Sequence, residues 1–180
     1  MPVLLAFLRG INVGGSRLVL MSDLRALLTG LRLRSVQTHL QSGNALFQTD
    51  EKDLPRLSEK IATALERRFG FPVDVVLRTH ADLEAVIADN PFARSKGIEP
   101  GKLVVFFLPK AVEKARHDEI AQLKFGREEI QFGRRELYIY FPDGQGRSKL
   151  PAALDRILDK TATARNWNTV TKLLELAKNM

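Results

Sequence analysis

Two short strings hold most of the residue types from which a polar binding site could be built: "RGINVGGSR" at residues 9–17 and "QSGN" at residues 41–44. Glycine lets backbone N–H groups approach a bound group closely. Arginine supplies a forked cationic donor, and Ser, Asn and Gln hydrogen-bond without adding charge. Arg9, Gly10, Asn12, Gly14, Gly15 and Arg17, with Gln41, Ser42, Gly43 and Asn44, therefore fit a cradle for an anion or a polar ligand. The same residues also read as turn chemistry, with Ile11 and Val13 tucked into a core. Gly10 and Gly15 have the spacing of phosphate-loop glycines. Ser16 and Arg17 stand where Lys and Ser or Thr are required, so nucleoside triphosphate hydrolysis is not supported.

The rest of the chemical inventory is thin. There is no cysteine, which removes disulfides, thiol nucleophiles and cysteine-ligated zinc, and fits a reducing cytoplasm. His39, His80 and His117 are scattered without metal-ligand spacing, no Ser-containing nucleophile elbow is present, and the sequence calls for neither metal nor cofactor. His39 is the histidine near the cradle, as an exposed polar residue or a general base. A second candidate string, "ARNWNTVTK", opens the last helix with Arg165, Asn166, Trp167 and Thr169; it also reads as a helix cap with the tryptophan in a core. "PDGQGRSKL" sets Gly144, Gly146, Arg147, Ser148 and Lys149 ahead of a helix, as a phosphate-friendly spot or a serine-capped loop. Tyr138 and Tyr140 alternate with Leu137, Ile139 and Phe141, so they share one strand face, available for base stacking or for packing.

These residues need elements to place them. "VLLAFL" (3–8) is a continuously apolar strand; it lacks a basic leader and is too short to read as a secretory signal. A helix is expected from about Ser22, read as its N-cap, with Leu24, Leu27, Leu28 and Leu31 on one face. "SVQTHLQ" and "NALFQT" form a hairpin turning at "QSGN". Leu54, Leu57, Ile61, Leu65 and Phe69 mark a helix, and "PVDVVLR" is a further strand. This order, βαββαβ, is ferredoxin-like. After a turn-rich stretch to Gly101, the order recurs: "LVVFFL", a helix over 110–123, strands near 129–133 and 136–141, and a helix from Ser148. A strand at "TATAR" and an extra C-terminal helix close the chain. The expected fold is α+β in two subdomains, 1–78 ferredoxin-like and 79–180 a looser copy, with a hinge near 90–101.

In that topology a right-handed crossover makes the first and second strands parallel, so the loop after one and the turn after the other lie at the same end of the sheet. Charge is uneven. Residues 1–49 carry five Arg and one Asp, residues 50–100 eight bases and ten acids, residues 101–180 fifteen bases and ten acids. Basic ends around an acidic middle favour an anionic partner, although solubility alone also accounts for a net +7. No apolar stretch is long enough to span a membrane.

Taken together, "LRGINVGG", "MSDLRALL", "QSGNALF" and "ATARNWNTVTKLLELA" resemble, over essentially the whole chain, the bacterial family catalogued as domain of unknown function number sixteen ninety-seven. The resemblance implies a two-subdomain α+β fold and no particular activity. It marks as signature positions Arg9, Gly10, Asn12, Gly14, Gly15, Gln41, Ser42, Gly43, Asn44, Arg165, Asn166, Trp167 and Thr169. The segment "GGSRLVL" is less basic than its counterpart in related chains. The leading functional expectation is a cytoplasmic binding protein for a small phosphate- or carboxylate-bearing ligand at the two strings. The alternatives are a nucleic-acid module using the tyrosine face, or an enzyme in the same cradle with Arg9 or Arg17 stabilising an anion. Sequence sets no oligomeric state.

Overall fold

The computed structural model describes residues 1–180, which form two compact units: Met1–Leu83 together with Leu173–Met180, and Glu84–Lys172. The first contains β1 (Val3–Leu8), α1 (Met21–Gly30), β2 (Arg34–His39), β3 (Asn44–Gln48), α2 (Leu54–Phe69) and β4 (Val75–Thr79). Its sheet order is β2-β3-β1-β4, antiparallel throughout, so β1 and β2 run parallel with β3 between them. Leu4, Ala6 and Leu8 of β1 meet Leu24 and Leu28 of α1 and Leu57, Ile61 and Leu65 of α2 in one core. The alternate residues Leu5 and Phe7 are equally buried. That two-sided burial is why β1 carries no polar alternation.

Helix α2 has every local signal its sequence offers. Asp53 accepts from the Arg56 N–H at 3.0 Å, Pro55 lies in the first turn, and Gly70 closes the helix at φ 81°. Helix α1 does not. It begins at Met21 rather than at a Ser22 cap, because the chain enters fully extended at Leu20 (ψ 136°) and that residue's carbonyl accepts from Leu24. Ser22 thus sits inside the first turn, and no side chain caps this helix.

The second unit repeats the order with β5 (Leu103–Phe107), α4 (Lys114–Ala121), β6 (Glu129–Phe132), β7 (Glu136–Tyr140), α5 (Leu150–Ile157) and β8 (Thr163–Asn166), in the sheet order β6-β7-β5-β8. The "TATAR" segment is therefore the fourth strand, antiparallel to β5. Two further helices, α3 (His80–Ala88) and α6 (Trp167–Lys178), follow β4 and β8 directly. The fold is mixed α+β in two similar halves with a C-terminal helix. None of its helices is long and apolar enough to cross a membrane.

Candidate functional site

The loop after β1 is a miniature hairpin. Ser16 N–H bonds the Val13 carbonyl at 3.2 Å and Asn12 N–H bonds the Arg17 carbonyl at 3.1 Å. Gly14 and Gly15 occupy the two central positions at φ 60° and 75°, the pair of left-handed conformations a tight I′ turn requires. Asn12 holds the hairpin in place. Its side-chain amide donates to the Val19 carbonyl at 2.9 Å and to the Gln41 carbonyl at 2.7 Å, while its Oδ1 accepts from the Val19 N–H at 2.8 Å. All three contacts are to backbone, and one of them joins the loop to the "QSGN" turn.

The turn is fastened from its own side. Buried Asn44 donates to the His39 carbonyl and to Ser42 Oγ. The Gly43 carbonyl accepts from the Leu8 N–H at 2.8 Å. Gly43 also has no room for a side chain: a Cβ would lie 2.8 Å from both Leu8 Cβ and Ile11 Cδ1. Residues 9–17 and 41–44 are thus brought together at one end of the first sheet, as the parallel relation of β1 and β2 requires.

A third segment, Phe71–Asp74, completes this end, and nothing in the sequence singled it out. Arg9 N–H bonds the Asp74 carbonyl at 2.9 Å. Arg17, itself at φ 53°, lays its guanidinium 5.1 Å from the Phe71 ring centroid, donates to the Pro72 carbonyl, and passes within 3.7 Å of where a Gly10 Cβ would be. Cation–π contact and a carbonyl acceptor fix this half-buried cation without any carboxylate at ion-pair distance. Seven of the chain's fourteen positive-φ residues (Gly10, Asn12, Gly14, Gly15, Arg17, Leu40 and Gly43) cluster at this end. Four of the seven are glycines, which adopt positive φ without steric penalty; Asn12, Arg17 and Leu40 adopt it with a side chain, and the first two are held by the contacts just described.

Other sequence candidates fall elsewhere. His39 is half-buried at the end of β2 and contributes its carbonyl to the Asn44 clasp. His117 stacks on Phe132, with ring centroids 3.6 Å apart. The "ARNW" string is the β8-to-α6 junction. Asn166 caps α6 by accepting from the Asn168 N–H at 3.0 Å, and it also donates to the Gly101 carbonyl. Trp167 is only half-buried, while Val170, Leu173, Leu174 and Ala177 carry the buried face of α6. Arg165 is buried, bonds Thr163 Oγ1 and the Ala164 carbonyl, and burial lowers its pKa to about 10.

Arg165 has an unexpected counterpart. Arg78 of β4, also buried, donates to the carbonyl of its preceding residue and pairs with Leu5, the third residue of β1; Arg165 pairs with Val105, the third residue of β5. Each is followed by a helix-capping residue. Thr79 Oγ1 accepts from Asp82 N–H and Asp82 returns the bond, a reciprocal cap. The two halves therefore repeat an Arg-cap junction that direct comparison of the strings conceals.

Tyr138 and Tyr140 are both buried. The Tyr138 hydroxyl donates to the Val86 carbonyl at 2.7 Å, and the Tyr140 hydroxyl to the Gly97 carbonyl at 3.2 Å. Residues 84–102 of the same unit therefore cover this face, and neither ring is presented for base stacking.

The sequence matches the family described as Protein of unknown function (DUF1697) over residues 1–138. The chain belongs to that family. The DUF1697 match takes in the whole loop–turn end, while the "ARNW" junction lies beyond it. Among solved structures, the chain is similar to the conserved bacterial protein SP0830 from Streptococcus pneumoniae, at 24% identity, with 99% of each chain covered and a TM-score of 0.81. At that identity the likeness establishes a common fold for the two proteins and nothing about chemistry. No curated protein matches the chain.

Proposed function

We propose that this DUF1697 protein is a binding protein for a small phosphate- or carboxylate-bearing ligand, held where residues 9–17, 41–44 and 71–74 meet. The observation that carries the reading is Arg17: a half-buried guanidinium fixed by Pro72 and Phe71, beside Gly10, with no acidic partner. An arginine so placed keeps its charge for a ligand and has already lost much of its conformational freedom. Arg9, Gly10 and Ser42 are the neighbouring contacts. Asn12 and Asn44 hold the frame, since their amides are taken up by backbone and turn bonds. A cytoplasmic location belongs to the same proposal and rests on the cysteine-free composition.

A thermal-shift screen of small anions, including inorganic phosphate, sugar phosphates and di- and tricarboxylates, tests it, because a ligand selective for the folded state raises the melting temperature. A charge-assisted contact contributes about 1.5–3 kcal/mol, so Arg17→Ala weakens binding of any hit by roughly ten-fold or more. Arg9→Ala is expected to act in the same direction. A lower melting temperature with unaltered affinity in both variants would make these arginines structural and defeat the reading.

A further inference from the structure

The string "PDGQGRSKL" is not part of the site above, and the structure gives it a setting the sequence did not show. The loop between β7 and α5 (141–149) and residues 124–128 of the loop between α4 and β6 line a cavity of about 380 Å³ in the second unit. Four cationic side chains line it: Lys124, Arg127, Arg147 and Lys149. Two carboxylates share the lining: Asp143 is paired, while Glu128 is bonded through Oε1 and its Oε2 is buried without a hydrogen-bond partner. Asp143 takes a two-point contact from Arg127, which holds its carboxyl below the usual range, and Glu128 accepts from Ser148 Oγ. Lys124, Arg147 and Lys149 have no carboxylate at ion-pair distance. The wall therefore carries two positive charges in excess, four minus two.

Phe125 supplies the second half of the argument. Its ring lines the same cavity, is 44% exposed, and is the one aromatic among the chain's exposed large hydrophobics. A partly exposed aromatic side chain beside unpaired cations suits a ligand that joins a planar ring to a doubly charged anion. A nucleoside monophosphate has both parts, and the cavity falls within the size range of small-molecule sites. We propose that this cavity binds a mononucleotide, with the phosphate held by Arg147, Lys149 and Lys124 and the base stacked on Phe125. The inference is independent of the loop–turn site.

Calorimetric titration of the full chain with adenosine monophosphate, inorganic phosphate and adenosine tests it, with amide NMR shifts locating the contact. Adenosine monophosphate is expected to bind more tightly than phosphate or adenosine, with shifts confined to 124–128 and 141–149. Arg147→Ala and Lys149→Ala each weaken it about ten-fold, the loss of one charge-assisted contact. Phe125→Ala weakens the nucleotide and leaves inorganic phosphate unchanged, Asp143→Asn tightens both anions by removing a negative charge, and Arg17→Ala alters neither. The proposal is overturned by no saturable binding up to roughly 10 mM, by equal affinity for phosphate and nucleotide that survives Phe125→Ala, or by shifts mapping to residues 9–17.

Discussion

Gly43 and Gly14 both sit at positive φ, yet their replacements have different consequences. A Cβ at Gly43 collides with Leu8 and Ile11, whereas one at Gly14 meets nothing within 4 Å. Gly43→Ala is expected to lose about 2–4 kcal/mol, combining overpacking with backbone strain. Gly14→Ala should lose only the conformational part, about 1 kcal/mol. Urea unfolding of the two variants checks the ordering, and equal losses would mean that the turn does not press on the core. Asn12→Ala removes three side-chain bonds to backbone, and a loss of roughly 1.5–4 kcal/mol is expected from their net worth. Amide exchange should quicken at Val19, whose N–H loses its acceptor.

At the scale of elements, Tyr138 ties the segment at Val86 to β7. Burial raises its phenol pKa above the ordinary 10.0, so the neutral form is the one the folded protein favours. The stability this contributes is complete below pH 10. It declines above pH 10 because the unfolded chain there releases the proton first. Tyr138→Phe leaves the Val86 carbonyl unpaired at a cost of about 1–2 kcal/mol near neutrality, and the gap between the two proteins should narrow on going from pH 9 to 11. A gap that stays constant in denaturant titrations across that range would show that this phenol does not sense folding. Helix α2 offers a simpler case: Asp53→Ala removes its one side-chain cap and should lower stability by about 1 kcal/mol.

At the scale of the molecule, the chain ends in the unit where it began, since residues 173–180 cluster with 1–83. Leu173, Leu174 and Ala177 are buried, and the Gln48 amide donates to the Met180 carbonyl at 3.0 Å. Removing residues 173–180 gives up the burial of two leucines, on the order of 3–6 kcal/mol. Hydrogen exchange is the measurement of choice. Faster exchange should be concentrated in residues 1–83, and a loss confined to residues 84–172 would contradict the assignment of that segment.

Local rules were enough for the order of elements. Continuous apolar runs mark β1 and β5, period-two alternation marks the hairpin strands and period-3.6 spacing most helices, Asn166 caps where short-range chemistry puts it, and the βαββαβ order carries the parallel relation that joins residues 9–17 to 41–44. Ser22 fails as a cap because the chain reaches α1 already extended, a matter of where Val19 and Leu20 are held. What covers the second face of a strand is likewise invisible locally. The alternation of Tyr138 and Tyr140 is the same whether water, a base or the backbone at Val86 and Gly97 lies above it. Arg17 meets Phe71 and Pro72 from more than fifty residues away, and Arg78 matches Arg165 only through sheet register. Periodicity records which side of an element is apolar; partners distant in sequence decide what is packed there, and only the tertiary structure supplies them.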